Sequence, residues 1–119
     1  MDEILKRLEL LHPKIIDLKL DRVKRLLRKL GNPEKSIPPV IHVAGTNGKG
    51  STIAMIKSGL QRSGFRTHTY TSPHLVNFNE RIEIGDKRIS EGALKEVFNE
   101  CEKVNNSQPI TFFEITTCA

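Results

Sequence analysis

The chain has 119 residues, a length that suits one modest domain with a hydrophobic core and not two. Hydrophobic residues make up 37 % of it and charged residues 28 %, so the composition excludes a disordered chain, and no apolar run approaches the length of a bilayer span. The net charge of +5 is spread along the chain, so it predicts a basic solvated surface rather than a nucleic-acid site.

Two amphipathic helices are predicted at the start of the chain. Apolar residues recur at helical spacing in residues 2–11, and Pro13 ends that run. The second helix has one apolar stripe opposite a face of lysine and arginine, and the stripe consists of Leu20, Val23, Leu26, Leu27 and Leu30. Gly31 and Pro33 are the stop signals of this helix.

A strand, a glycine-rich loop, a helix and a second strand follow in that order. Residues 40–44 form a short β-branched run typical of a buried strand, and residues 66–73 predict another strand that ends at Pro73. The helix between them is expected to begin near Ser51 and to close at Gly64. Its inward-facing residues are predicted to be Ile53, Met55, Ile56 and Leu60. This order indicates an α/β fold with a P-loop NTPase-like parallel sheet flanked by helices.

The last third of the chain predicts a hairpin and a helix. Residues 80–90 alternate apolar and polar side chains around Gly85 and Asp86, which indicates a small hairpin. Ser90 is a good N-cap for a helix that reaches about Val104. Residues 109–119 are apolar and are expected to form an unfinished strand or half-helix, so we interpret the chain as a fragment of a longer protein.

The cysteine usage and the N-terminal residues bear on the cellular compartment. Cys101 and Cys118 have no metal-type spacing, so they are expected to be reduced thiols in the core of a cytoplasmic protein. The first residues mix charge into every helical turn, which differs from a secretory signal.

The glycine-rich loop is the strongest chemical signal in the sequence. Gly45, Gly48 and Gly50 allow backbone N–H groups to turn inward around an anion, and the positive end of the following helix points to the same place. Lys49 supplies a mobile charge for the outer phosphates, and Ser51 or Thr52 can reach phosphate or magnesium. A plain strand-to-helix turn rarely needs a lysine between two glycines with two hydroxyls after it. The loop therefore predicts a nucleotide phosphate site.

Four ordered segments resemble one enzyme family. Residues 42–52, HVAGTNGKGST, closely resemble the signature of folylpolyglutamate synthase and dihydrofolate synthase, a branch of the Mur ligase superfamily of ATP-dependent amide-forming enzymes. In the cell-wall branch of that superfamily Thr or Ser typically follows the lysine, whereas Gly50 follows it here. The further segments that resemble the family are residues 14–33, where Lys19 replaces its common glycine, residues 70–84 and residues 111–117.

The resemblance implies an ATP-dependent ligase that joins L-glutamate to dihydropteroate or to a folylpolyglutamate through an acyl phosphate. It implies ATP and Mg²⁺ as cofactors, small-molecule substrates, no nucleic-acid or membrane partner, and a monomer. Lys49 is the expected catalytic residue. The residues expected to hold the ATP phosphates are Gly45, Thr46, Asn47, Gly48, Lys49, Gly50 and Ser51. Ser72 matches the family's hydroxyl ligand to magnesium, although an ordinary turn serine before Pro73 is the simpler alternative.

Two segments that match the family are expected to bind the pterin or folate ring. A pterin presents a two-donor edge that a carboxylate accepts, and a flat ring needs aromatic or aliphatic walls. The expected residues are Ile15, Ile16, Asp17, Leu18, Thr111, Phe112, Phe113 and Glu114. Phe112 and Phe113 taken alone would more often be core residues. His74 is either a group behind the metal ligand or an exposed loop histidine, and Arg81 either meets the anionic folate or pairs with Glu80 or Glu83.

Residues 1–119 are expected to be the N-terminal part of the ATP-binding domain, without the rest of that domain and without the glutamate-binding domain. By the same resemblance, the fragment alone is expected to lack ligase activity. Three other interpretations remain: another Mur-type ligase, which Gly50 opposes, a P-loop nucleotide-binding module without ligase activity, and a basic nucleic-acid module. The last one would need aromatic residues among clustered cations, but only 5 % of the residues are aromatic.

Overall fold

The computed structural model describes residues 1–13 and 18–119. The chain divides into two compact units: unit 1 comprises residues 1–38 and 91–119, and unit 2 comprises residues 39–90. Unit 1 is helical, whereas unit 2 contains one α-helix and a small sheet.

Unit 1 contains four α-helices and a short 3-10 helix. The α-helices are α1 (Asp2–Glu9), α2 (Asp21–Lys29), α4 (Glu91–Asn105) and α5 (Phe112–Cys118), and the 3-10 helix is Pro33–Lys35. Gly31 has φ +87° directly after the residue that caps α2, as expected of a glycine that ends a helix. Both N-terminal helices and the helix after Ser90 are therefore confirmed, with ends within a few residues of the predicted ones.

The core of unit 1 lies where α2 packs against α4 and α5, and α1 also packs against α4 and α5. The apolar side chains at its centre have no more than 1 % of their surface exposed, and they are Leu8, Leu26, Leu94, Phe98, Ile110 and Ile115. The predicted apolar stripe of α2 is only partly buried, because Leu26 is fully covered and Leu20 is 64 % exposed.

A buried amide completes this core. Asn105, at the end of α4, is 1 % exposed, accepts a hydrogen bond from Arg25 Nη2 at 3.0 Å and donates one to the carbonyl of Gln108 at 2.9 Å. Arg25 also donates to the carbonyl of Pro109 at 3.2 Å. A buried polar group needs such partners, so the turn after α4 is tied to α2.

Both thiols lie in unit 1. Cys101 is buried and Cys118 is half-buried, and both are free of disulfides. Burial raises the pKa of Cys101 to about 11, with a smaller contribution from Glu100. Burial likewise raises the pKa of Cys118 to about 12, so both thiols are protonated at neutral pH.

Unit 2 contains α3 (Lys49–Arg62), β1 (His68–Tyr70), a 3-10 helix (Phe78–Arg81), β2 (Ile82–Ile84) and β3 (Lys87–Arg88). The strands form one antiparallel sheet in the order β1-β2-β3, in which Thr69 pairs with Glu83. Gly85 has φ +66° in the turn between β2 and β3, which confirms the predicted hairpin. The Gly85 N–H donates to Nδ1 of His68 at 2.8 Å, and this bond joins the turn to β1.

The predicted parallel sheet is not present in the described residues. Their sheet is antiparallel, and residues 40–44 have no regular secondary structure. The reason is that a strand exists only through its hydrogen-bonded neighbours, and the described part of the chain offers none to this segment. The predicted order of strand, loop, helix and strand implied that a parallel strand lies next to residues 40–44. The sheet observed in the described residues contains no such strand.

The inward face predicted for α3 is also incomplete. Ile53, Ile56 and Leu60 are half-buried, but Met55 is 68 % exposed, and no residue of this described helix is fully buried. An ion pair between Lys57 and Glu83 ties α3 to β2. In the part of the chain that the structure describes, no helix is long and apolar enough to cross a membrane.

Candidate functional site

The glycine-rich turn of unit 2 ends where α3 begins. Gly45 has φ +151° and Gly48 has φ +75°, backbone angles that favour glycine, and Gly48 directly precedes α3. Among the described residues, none caps this helix with a side chain, and its first turn contains no acidic residue. The N–H groups of Lys49, Gly50 and Ser51 therefore face the turn without a helix carbonyl ahead of them, which is the arrangement that binds an anion.

Lys49 is the first residue of α3, which starts earlier than the predicted position near Ser51. Its side chain is half-buried, and Nζ donates a hydrogen bond to the carbonyl of Gly45. The ammonium group thus lies at the Gly45 carbonyl, within the turn that precedes α3. Thr46, Asn47 and Ser51 are exposed around it, so every predicted phosphate contact is accessible from solvent.

Ser72 lies in an exposed turn after β1, and its peptide bond to Pro73 is cis. Among the described residues, no group of three or more His, Cys, Asp or Glu side chains could hold a metal ion. Mg²⁺ at nucleotide sites usually takes one or two protein ligands and completes its shell with phosphate oxygens and water. The hydroxyl of Ser72 fits the part of a single ligand in such a shell, and the described residues do not form a dedicated metal cage.

The turn after Ser72 is held by the carboxylate of Glu80, which the sequence indicated only as a possible ion-pair partner of Arg81. Glu80 accepts hydrogen bonds from the backbone N–H groups of Leu75, Val76 and Asn77 at 2.5–2.9 Å. These bonds, with that from Asn77 the largest, lower the pKa of Glu80 to about 2. The spacing Asn77-x-x-Glu80 is that of a capping box, and it is the signal that could have revealed this role.

His74 and Arg81 face each other across the same turn. Arg81 Nε donates to Nδ1 of His74 at 2.8 Å, and its guanidinium carbon lies 4.7 Å from the ring centroid of the buried Phe78. The ring centroids of His74 and Phe78 are 5.5 Å apart. His74 is therefore a half-buried partner of Arg81 and not an exposed loop histidine. Glu83, one of the two expected partners of Arg81, pairs with Lys57 instead.

The segments predicted to bind the pterin belong to unit 1. Ile15, Ile16 and Asp17 lie outside the described residues. Leu18 is 95 % exposed, and Phe113, on α5, is 43 % exposed, whereas Phe112 is half-buried. An apolar side chain that remains in solvent is available to cover a flat ligand, so Leu18 and Phe113 keep the surface that the prediction requires.

Thr111 and Glu114 are committed to the start of α5. Thr111 is the N-cap, with its hydroxyl accepting from the N–H of Glu114 at 3.2 Å, and the Glu114 carboxylate accepts from the N–H of Thr111 at 2.9 Å. Arg22, on α2, donates Nε and Nη2 to the two oxygens of the same carboxylate at 2.8 and 3.2 Å. Three of its four acceptor positions are thus used within unit 1.

The lowered pKa of the Glu114 carboxyl agrees with these hydrogen bonds. Burial alone would raise the pKa of its carboxyl, but the hydrogen bonds from Arg22 and Thr111 outweigh burial and lower the pKa. The charged form is therefore the one that the fold stabilises. A carboxylate held in this way anchors α5 to α2, and little of it remains to accept a pterin edge.

Unit 2 brings together the predicted phosphate residues and contains Ser72, and unit 1 contains the described pterin candidates. The arrangement in unit 2 can bind a polyphosphate through backbone N–H groups and a lysine, and it offers a hydroxyl to a metal ion. Charge neutralisation and positioning of this kind are what phosphoryl transfer requires.

Comparison with known proteins identifies relatives for almost the whole chain. No family model matches it. It is 42 % identical over 107 residues to the dihydrofolate synthase/folylpolyglutamate synthase of Bacillus subtilis, a match that covers 84 % of this chain and 25 % of the relative. The chain thus spans about a quarter of the length of this curated relative.

Solved structures give the same result. The structure of Escherichia coli FolC in complex with DHPP and ADP matches with a TM-score of 0.89 and 39 % identity, over 98 % of this chain and 28 % of that one. The bifunctional folylpolyglutamate synthase/dihydrofolate synthase of Yersinia pestis, complexed with AMPPNP and a Mn ion, matches with a TM-score of 0.86 and 36 % identity over the same shares. Almost all of this chain is therefore similar to one segment of the folylpolyglutamate synthase/dihydrofolate synthase enzymes, a segment that makes up 25–28 % of the length of these relatives.

Proposed function

We propose that this chain is the N-terminal segment of an ATP-dependent ligase that joins L-glutamate to dihydropteroate, to folylpolyglutamates or to both. The observation that carries the proposal is the turn from Gly45 to Lys49, with two glycines at positive φ, an uncapped helix start and an ammonium group at the Gly45 carbonyl. The similarity to folylpolyglutamate synthase/dihydrofolate synthase supports the reaction that we assign to this phosphate site. In the full-length enzyme, residues 40–44 would become a strand of a parallel sheet whose other strands come from outside the chain.

The reaction has two steps. The γ-phosphoryl group passes from ATP to the substrate carboxylate, so that the bond to the β-phosphate oxygen breaks and an acyl phosphate and ADP form. The amine of glutamate then attacks the acyl carbon, phosphate leaves and the amine loses a proton. Both steps depend on charge neutralisation and alignment more than on covalent chemistry by the protein.

Each part of the candidate site has one task in this scheme. The N–H groups from Thr46 to Ser51 hold the α- and β-phosphates, and Lys49 moves from the Gly45 carbonyl to the transferring phosphoryl. Ser72 would offer its hydroxyl as one ligand to Mg²⁺, and the ion would supply charge neutralisation at the phosphates. In unit 1, the exposed Leu18 and Phe113 and the half-buried Phe112 would contact the pterin together with Ile15, Ile16 and Asp17, while the buried Thr111 and Glu114 hold the start of α5 in place.

Product analysis of the full-length enzyme tests the proposal. The enzyme is incubated with ATP, Mg²⁺, L-glutamate and either dihydropteroate or a folate, and the products are separated by chromatography. We expect a glutamylated product in amounts equal to the ADP formed. ADP release without glutamylation would instead support a P-loop nucleotide-binding module without ligase activity, and failure to bind ATP would contradict both interpretations.

The same assay on residues 1–119 alone is a second test. We expect no glutamate addition, because in this family the segment lacks about three quarters of the enzyme. We also propose that the full-length enzyme is a cytoplasmic monomer, which sedimentation of the full-length protein and cell fractionation would check.

A further inference from the structure

Three polar residues that follow Ser72 have no task in the reaction above. Asn77, Glu80 and Arg81 follow Ser72 within ten residues and lie in or beside the 3-10 helix Phe78–Arg81. The side-chain hydrogen bonds that the structure describes for Glu80 and Arg81 go to residues 74–77, in the turn between Ser72 and Phe78. This turn, residues 72–77, is the segment whose position needs an explanation.

The turn is not held by hydrophobic burial. Leu75 is 93 % exposed and Val76 is 79 % exposed, so the side chains at its tip contribute almost nothing to a core. A short turn with two apolar side chains in water would ordinarily be mobile. What fixes the backbone here is polar, because three successive N–H groups point at one carboxylate.

The carboxylate of Glu80 is well suited to this task. Hydrogen bonds that involve an ionised acceptor are about twice as strong as neutral ones. The lowered pKa of Glu80, about 2, means that the carboxylate keeps its charge at any pH at which an enzyme of this kind operates. The three bonds are therefore present together throughout the working range.

Arg81 holds the other side of the turn. Its Nε–H donates to His74 Nδ1, and its guanidinium group stacks on Phe78, which is 2 % exposed and so gives the pair a rigid base. His74 is separated from Ser72 only by Pro73. The two sides together determine the path of the chain from residue 72 to residue 77.

We propose that Glu80 and Arg81 are positioning residues that hold the turn 72–77 in one conformation and thereby place the Ser72 hydroxyl for the metal. The metal part of this proposal rests on the proposed function, whereas the conformation of the turn does not. Neither side chain touches the reacting atoms, so both act through the backbone of the turn. Leu75 and Val76 donate two of these backbone hydrogen bonds while their side chains are exposed.

Amide hydrogen exchange of the full-length enzyme without nucleotide or metal tests the first part. Glu80→Gln keeps the size of the side chain but removes the charge and places an NH₂ group against backbone N–H donors. We expect exchange of the amides of residues 75–77 to accelerate by about tenfold or more. Glu80→Asp, which keeps the charge on a shorter side chain, should restore part of the protection, and Glu96→Gln, at an exposed position of α4, is the matched control.

The magnesium dependence of ligation tests the second part. Glu80→Gln should raise the magnesium concentration for half-maximal rate several-fold, with the KM for ATP within twofold of wild type, because the phosphate turn is a separate segment. Arg81→Lys should give a smaller shift in the same direction. Unchanged exchange at residues 75–77 in Glu80→Gln would overturn the proposal, and so would faster exchange with an unchanged magnesium curve.

A failure of the proposed function would look different. In that case the wild-type enzyme itself would form no glutamylated product, while hydrogen exchange would still decide whether Glu80 holds the turn. If the Gln variant is too unstable to purify, the Asp variant provides both measurements, and wild-type exchange and wild-type magnesium dependence in it would likewise contradict the proposal.

Discussion

Unit 1 contains most of the fully buried side chains, whereas unit 2 contains the residues predicted to bind phosphate and metal. Unit 1 has a core of fully buried side chains from four helices and a partly buried ion pair between Arg22 and Glu114. Unit 2 has a helix with no fully buried residue, a glycine-rich turn in solvent and a turn held by one carboxylate. Elements that bind and release ligands are commonly drawn from the less stable part of a protein, and the predicted phosphate and metal residues all lie in unit 2.

The largest expected difference between the units concerns burial. Phe98→Ala should lower the free energy of unfolding of the chain by about 4 kcal/mol, because it leaves a cavity in the core of unit 1. Met55→Ala, on the exposed face of α3, should change it by less than about 0.5 kcal/mol. Urea denaturation of the two variants measures both values. Equal losses would mean that the two units do not differ in internal packing as described.

Lys49→Ala tests the chemical side of the comparison. We expect ligation by the full-length enzyme to slow by a factor of about 100 to 1,000, or roughly 3–4 kcal/mol of barrier, since the transferring phosphoryl loses its main fixed cation. The thermal midpoint should stay near that of wild type, because Lys49 contributes little to any core. Steady-state kinetics and a melting curve on the same preparation check this. Turnover within threefold of wild type would show that Lys49 is not a catalytic residue.

Much of unit 1 follows from local sequence signals, but the start of α5 does not. Hydrophobic spacing and the stop signals at Gly31 and Pro33 predicted the first two helices. The apolar character of residues 109–119 predicts only an unfinished strand or half-helix. The structure has a helix there because Thr111 and Glu114 form a capping box and Arg22 neutralises the buried carboxylate. The pattern T-x-x-E was visible in the sequence, whereas the partner on α2 was not.

In unit 2 the sequence predicted local turns better than pairing. Gly45, Gly48 and Gly85 adopt the positive φ values that a phosphate turn and a hairpin need. The predicted parallel sheet failed because strand pairing depends on distant segments, and residues 40–44 find no partner among the described residues. Ser72 and the phosphate residues remain predictions from family resemblance, and the role of Glu80 emerged only from its backbone contacts.

Glu114→Gln tests how the stability of unit 1 depends on pH. At pH 7 the variant should lose about 2 kcal/mol of unfolding free energy, because a charged acceptor of Arg22 is replaced by a neutral one. The folded-state pKa of Glu114 is lowered. Its stabilisation is therefore complete above the unfolded-state pKa and is lost as the pH falls through the folded-state pKa. The gap between wild type and variant should shrink in acid, as urea titrations at several pH values would measure, and a gap that grows in acid would contradict this assignment.

Ser72→Ala has the smallest expected effect. The magnesium concentration for half-maximal ligation should rise about tenfold, or ~1.4 kcal/mol, with little change in the KM for ATP, since one neutral ligand of the metal is lost. A magnesium titration of the full-length enzyme at fixed ATP is the measurement. Thr71→Ser, at the neighbouring position, is a control that should leave the titration curve in place. An unchanged curve for Ser72→Ala would assign Ser72 a purely structural part in the turn.

The state of the two thiols has a practical consequence for spectroscopy. With a pKa of about 11, Cys101 has on the order of one thiol in a thousand ionised at pH 8, and Cys118, with a pKa of about 12, has still fewer. Both native cysteines should thus react slowly with maleimides and iodoacetamides. A new cysteine at the exposed position of Leu75 could carry a fluorescent or spin label at the tip of the turn 72–77, with both native thiols left in place.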